Sequence, residues 1–83
     1  MHRVKEVKPL DNYVLWIRFD DDSVQGFDCH KLFDNPLFDS IKDVNYFQKV
    51  HIDDMGLICW DDGTDINPYF LYEESELIEN YEI

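Results

Sequence analysis

The longest apolar run in the chain, Tyr13 to Ile17, is five residues, and clusters of turn-forming residues close the segments around it. These are Asp20-Asp21-Asp22-Ser23, Asn35-Pro36, Asp53-Asp54-Met55-Gly56, Asp61-Asp62-Gly63 and Asn67-Pro68. Aspartate and asparagine hydrogen-bond their own main chain, glycine takes positive φ at no steric cost, and proline presets the first residue of a helix. Punctuation this dense permits only short strands and short helices. It excludes a bilayer-spanning helix, which needs about 20 apolar residues. With 83 residues the chain makes one small domain that buries about 64% of its unfolded surface. Its 45% hydrophobic and 16% aromatic content sets it apart from disordered chains.

Dense β-branched and aromatic residues from Tyr13 to Phe19 predict a strand with Tyr13, Leu15, Ile17 and Phe19 on its core face. Val14, Trp16 and Arg18 fall on the opposite face. Arg3 to Lys8, closed by Pro9, predicts a preceding strand, and Val24 to Phe27 the returning arm of a hairpin. Asp28 is a cap for a short helix over Cys29 to Phe33, and Asn35 with Pro36 starts a second. The spacing of Leu37, Phe38, Ile41 and Val44 predicts one apolar helical face, and Asp43 restarts a turn carrying Tyr46 and Phe47. Val50 and Ile52 mark a fourth strand, Leu57 to Trp60 a fifth, and Thr64 to Ile66 a short return strand. Asn67-Pro68 then starts a helix over Tyr69 to Tyr72. Ile17 to Asp21 and Ile58 to Asp62 share an Ile-x-aromatic-Asp-Asp pattern, which two hairpins using the same turn chemistry explain. The expected fold is α+β, a small antiparallel sheet built from two meanders or hairpins with two or three short helices on one face. A single domain spans residues 1–72, followed by an acidic helix or tail over residues 73–83.

Seven Lys and Arg against nineteen Asp and Glu give a formal net charge of −12 at pH 7, and no Lys or Arg follows Lys49. Nucleic-acid affinity rests on cations that displace counterions, so direct DNA or RNA binding is disfavoured. A basic protein partner is favoured. An acidic mimic of DNA, occupying a nucleic-acid-binding protein, shares the same charge argument. The first residues lead into no apolar stretch, and Cys29 and Cys59 lie far apart, so the expected setting is the reducing cytoplasm with two unpaired thiols and no membrane association.

No catalytic, cofactor or metal site is expected from the residue spacing. Cys29, His30, His51 and Cys59 lack the close ligand spacing of a zinc site, and adjacent Cys29 and His30 point apart. The aspartate clusters could supply oxygen ligands to Mg²⁺ or Ca²⁺, which frames an alternative reading: a small divalent-metal-dependent hydrolase using turn aspartates. Turn formation explains the same aspartates without a cation. Thirteen aromatic residues exceed what so small a core holds, so some face outward. Trp16 and Arg18 are the first candidate contact pair, since both residue types are enriched at interface hot spots. Tyr69, Tyr72 and Tyr81, near the acidic end, form a second candidate patch, and Asp61, Asp62 and Asp65 are the candidate partner-binding carboxylates. A homodimer through Trp16 or an unpaired strand edge suits a core of this size.

The strand ending near Pro9-Leu10, Asn12-Tyr13-x-Leu15, and Gly56-x-Ile58-x-Trp60-x-x-Gly63-x-Asp65-Ile66-x-Pro68-x-x-Leu71-Tyr72 together resemble the bacterial domain-of-unknown-function family 2442, over about residues 3–72. Asp22-Ser23 departs from the family's Asp-Gly turn, and Asp61 stands where proline often follows the tryptophan. The resemblance implies a small α+β fold, a cytosolic bacterial setting and no assigned activity. It also implies membership of candidate toxin–antitoxin pairs. Some members are fused to helix-turn-helix domains, and no such helix pair is expected here. The reading from sequence is therefore a non-catalytic, antitoxin-like cytoplasmic module that presents an acidic, aromatic surface to a small basic protein.

Overall fold

The structure is a computed structural model and describes residues 3–78. Among these, β1 (Val4–Pro9), β2 (Val14–Phe19) and β3 (Val24–Asp28) form an antiparallel meander, and a short strand at Glu76–Leu77, β7, pairs with β3. A second antiparallel meander consists of β4 (His51–Ile52), β5 (Ile58–Cys59) and β6 (Asp65–Ile66). Between the meanders lie 3₁₀ segments at Cys29–Leu32 and Pro36–Lys42 and a helix, α1 (Val44–Phe47); α2 (Pro68–Glu74) follows β6. The fold is α+β. At the start of the acidic end, α2 carries Glu73 and Glu74, and β7 pairs with β3. The remainder of the expected tail, with Tyr81, lies outside the described residues.

Every expected cap is made by its side chain. Asp28 accepts from the His30 amide at 3.0 Å, Asn35 from Leu37 at 3.1 Å, Asp43 from Asn45 at 2.9 Å and Asn67 from Tyr69 at 2.8 Å. These caps satisfy amides that a short helix leaves without partners. The helical face expected from Leu37, Phe38, Ile41 and Val44 does not form. Pro36–Lys42 winds as a 3₁₀ helix with three residues per turn, which aligns Phe38 with Ile41 in the core and leaves Leu37 75% exposed. Asp43 then starts a new helix, and Val44 at its first position is 52% exposed.

The three hairpin turns share one geometry. Phe19, Asp53 and Trp60 each donate their amide to the carbonyl four residues on, at 2.9 Å in all three, and each accepts from the amide three residues on. The residue at that third position is left-handed: Asp22 at φ 66°, Gly56 at 80° and Gly63 at 91°. This is a three-residue loop closed by a left-handed residue. The repeated Ile-x-aromatic-Asp-Asp pattern therefore reflects shared turn chemistry. Where the resemblance has Asp-Gly, Asp22 itself adopts the left-handed state, which aspartate tolerates better than most residues, and its carboxylate meets Lys5 Nζ at 3.2 Å.

Leu15, Ile17 and Phe19 on one face of β2 are fully buried and pack with Phe27, Phe47, Trp60, Ile66 and Leu71. Tyr13 was expected to continue this strand face. It lies instead in a 3₁₀ turn at φ 62°, after Asn12 at φ 61°. Its ring still meets Phe33 and Phe47 edge-on at 5.1 and 5.2 Å, and its hydroxyl donates to the Lys42 carbonyl. Trp60, 1% exposed, donates its indole N–H to the Phe47 carbonyl at 3.0 Å.

Trp60→Ala is expected to cost about 3–5 kcal/mol in urea unfolding, from lost burial and the lost indole hydrogen bond to the Phe47 carbonyl, whereas Leu37→Ala stays within about 0.5 kcal/mol. Substitutions at the two equivalent turn positions should have opposite signs. Gly63→Ala loses about 1 kcal/mol although nothing lies within 4 Å of the added carbon, and Asp22→Gly gains a fraction of that, both read from melting curves.

Candidate functional site

The 3₁₀ segment Pro36–Lys42 lies alongside the Trp60–Thr64 turn, with the Thr64 hydroxyl donating to the Leu37 carbonyl at 3.3 Å. The seam between them, continued along β6 and α2, holds two adjoining depressions of about 430 and 580 Å³. Phe38 and Asp65 line both and so join them into one shallow groove. Leu32, Phe38, Ile66 and Phe70 make an apolar floor, and Leu37 makes one lip. Asp62, Asp65 and Glu73 supply the charge, and no lysine or arginine lines the groove.

Short-range constraints fix this arrangement. Pro36 and Pro68 begin the two wall segments, and the Asn35 and Asn67 side chains beside them are occupied as caps. Phe70, 40% exposed, rests edge-on against Phe27 at 6.0 Å, so the ring is placed by the core while one side remains open. Asp62 is held by the turn itself: its carboxylate accepts from the Thr64 amide at 3.0 Å, and its own amide donates to the Tyr46 hydroxyl at 2.8 Å. Facing Ser40, with further support from the Thr64 side chain and amide, its carboxyl is held down at about 2. Ser40 faces the carboxylate without meeting strict hydrogen-bond geometry, so the Thr64 amide is the firmer anchor. Asp62 thus stays charged across the physiological range.

The residues expected from sequence fall in separate places. Asp62 and Asp65 share the groove, while Asp61 turns toward His51, with 3.7 Å from its Oδ1 to Nε2. Tyr69 is 56% exposed on α2, whereas Tyr72 is half-buried with its ring edge-on to Phe19 at 5.1 Å, tied to the core periphery. Trp16 and Arg18 lie together on the outer face of the first sheet, far from the second meander in topology. There Lys8 Nζ lies 4.8 Å and Arg18 Cζ 5.6 Å from the Trp16 ring centroid, and Glu6 pairs with both cations at 3.5 and 3.7 Å. Sequence reasoning missed Leu37, Phe70 and Glu73 as groove residues. The Phe70–Glu73 spacing of three on a helix was the available signal; Leu37 gave none, because its exposure follows from the 3₁₀ winding.

Of the four Cys and His candidates, the fold joins two. Cys59 Sγ lies 3.4 Å from His51 Nε2, since β4 and β5 place these residues in register, and His51 Nδ1 lies 3.1 Å from the Lys49 carbonyl. Burial, then the charges of Asp53, Asp65 and Asp61, push the Cys59 thiol up. A nucleophile or metal ligand needs the opposite shift. Burial also raises the Cys29 thiol, helped by Asp28. Both cysteines are free, and the described residues contain no group of three or more His, Cys, Asp or Glu that could hold a metal ion. The turn carboxylates serve their own backbone: Asp21 accepts from the Ser23 amide, Asp53 from those of Met55 and Leu57, Asp62 from that of Thr64.

The model of the family described as Protein of unknown function (DUF2442) matches residues 4–76. The chain belongs to this family. No curated protein and no solved structure matches the chain. The family span runs from the start of β1 into β7 and contains the whole groove as well as the Trp16 face. No helix among the described residues is long and apolar enough to cross a membrane.

The depressed Asp62 carboxyl gives a pH signature. The group contributes stability that is fully present above its ordinary value of 3.8 and is lost as pH falls through about 2. The gap in melting temperature between the native chain and Asp62→Asn should be constant at neutral pH and close between those two values.

Proposed function

We propose that the protein is a non-catalytic cytoplasmic binding module whose groove holds a basic, amphipathic segment of a protein partner. The observation that carries this reading is the combination of an apolar floor at Leu32, Phe38, Ile66 and Phe70 with carboxylates at Asp62, Asp65 and Glu73 and no cation in the lining. Apolar area supplies affinity and the carboxylates supply steering and register. A net charge of −12 extends the same attraction to long range and repels nucleic acid. Two free cysteines accord with a reducing compartment. An antitoxin-like role, in which the partner is a small basic toxin, is the biological form that the family resemblance implies for such binding.

The alternative of a metal-dependent hydrolase has less support. Asp21, Asp53 and Asp62 direct carboxylate oxygens to backbone amides of their own turns, and Asp61 turns to His51 instead of converging with them. The groove is shallow, so it offers a reacting group little exclusion of water.

The test is a nuclear magnetic resonance titration with a short peptide alternating lysine and leucine, against a control with glutamate in place of lysine. Shifts should concentrate at Phe38, Asp65, Ile66 and Phe70, weaken with added salt, and vanish in the Asp65→Lys, Glu73→Lys variant. Shifts spread over all acidic surfaces, or equal binding of the control, would refute the groove as the site.

A further inference from the structure

The second meander has the strand order β4–β5–β6, so among the described residues β6 has a neighbouring strand on one edge only. The groove follows the other edge. Asp65, Ile66 and the extended Asn67 all line it, and successive side chains of a strand point to opposite faces, so three consecutive residues border one depression along the strand edge. The ladder shows which main-chain groups that edge offers. Beside the turn, the Trp60 amide donates to the Thr64 carbonyl at 2.9 Å. Bonded and non-bonded pairs alternate in an antiparallel ladder, so Cys59 and Asp65, next in register, are a non-bonded pair. The other hairpin agrees: the Asp53 amide donates to the Leu57 carbonyl, which makes His51 and Cys59 a bonded pair and turns the Cys59 main chain toward β4. The Asp65 amide and carbonyl are therefore directed away from β5, and neither has a hydrogen-bond partner among the described residues. Its exposed side chain is free as well, whereas Asp62 is held by its turn and Asp61 faces His51.

We infer that the groove takes its partner as an extended strand added to the edge of β6, with a lysine opposite Asp65 between two apolar residues. Strand addition rests on the groove being the binding site and specifies the conformation and side-chain pattern that the groove selects. A partner residue opposite Asp65 exchanges two main-chain bonds with it, as bonded pairs of an antiparallel ladder do. Its side chain then falls on the face of Asp65, in line with the row His51, Cys59 and Asp65, where a lysine meets the free carboxylate. The residues before and after it point to the opposite face. That face carries the row Ile52, Ile58 and Ile66 and packs with Leu32 and Phe38, so apolar side chains there extend the core onto the groove floor. A helix laid in the same groove would leave the Asp65 amide and carbonyl without partners. A second copy of this edge would set Asp65 against Asp65, and like charges directly opposite are unfavourable. The edge therefore admits a basic strand and resists pairing with itself.

Backbone methylation separates strand addition from groove binding in general, because it leaves every side chain of the peptide in place. The alternating lysine–leucine peptide is titrated into the full chain beside two versions of itself, one N-methylated at every lysine amide and the other at every leucine amide. In the added strand the amide of the lysine opposite Asp65 donates to the Asp65 carbonyl, and the amides of the flanking leucines face solvent. Methylating the lysine amides should therefore weaken binding at least about tenfold, and methylating the leucine amides should leave it close to that of the unmodified peptide. Solvent exchange of the Asp65 amide should slow when the unmodified peptide binds. If that peptide shifts the groove resonances but the two methylated versions bind alike, or Asp65 exchange is unchanged, strand addition is overturned while the groove stands. If it leaves the groove resonances unmoved, both readings fall.

Discussion

The burial of Trp60 is the contact on which the second half of the molecule depends. Its indole is enclosed in the core, tilted against Phe47 at 6.4 Å, and its N–H meets the Phe47 carbonyl at the end of α1. That bond ties the β4–β5–β6 meander to the helical connection, across a separation in sequence that no local propensity would close. The same residue opens the turn that carries Asp61, Asp62 and Gly63. A side chain chosen for its bulk therefore also sets where the carboxylates stand. In a domain of this size, where folding leaves a margin of only about 0.1 kcal/mol per residue, one such anchor decides whether the acidic turn is a placed surface or a loose loop.

Charge is distributed in keeping with that architecture. All seven Lys and Arg precede position 50, and four of them, Arg3, Lys5, Lys8 and Arg18, are on or beside β1 and β2. Folding brings the chain's two halves together as a mixed-charge sheet face and an acid-lined groove. Both surfaces have apolar content at their centre, Trp16 in one and Phe38 with Phe70 in the other, and in both the apolar groups are framed by charges.

Local chemistry was readable wherever a residue acts through its immediate neighbours. Asp28, Asn35, Asp43 and Asn67 cap the segments that their positions announce. The alternation of Leu15, Ile17 and Phe19 gave the core face of β2, because side chains alternate strictly across a pleated strand. The apolar spacing from Leu37 to Val44 misled, because a 3₁₀ winding followed by a restart at Asp43 replaces one α-helical period with two shorter pieces. Whether a seven-residue segment takes three or 3.6 residues per turn is a matter of fractions of a kcal/mol locally, and packing of Phe38 and Ile41 tips it.

Sequence alone thus determined that the elements are short, antiparallel and capped, that the chain is an acidic α+β domain, and that its aromatic residues exceed its interior. Only the tertiary structure decided which of them stay outside and what they stand beside. Phe70 joins Leu32 and Phe38 over a separation of more than thirty residues, His51 meets Cys59 through strand register, and Lys8, Trp16, Gly26 and Glu76 align across four strands. The reason is physical: caps and turns are set by bonds within a few residues, whereas a surface is assembled from segments whose adjacency follows from burying the core.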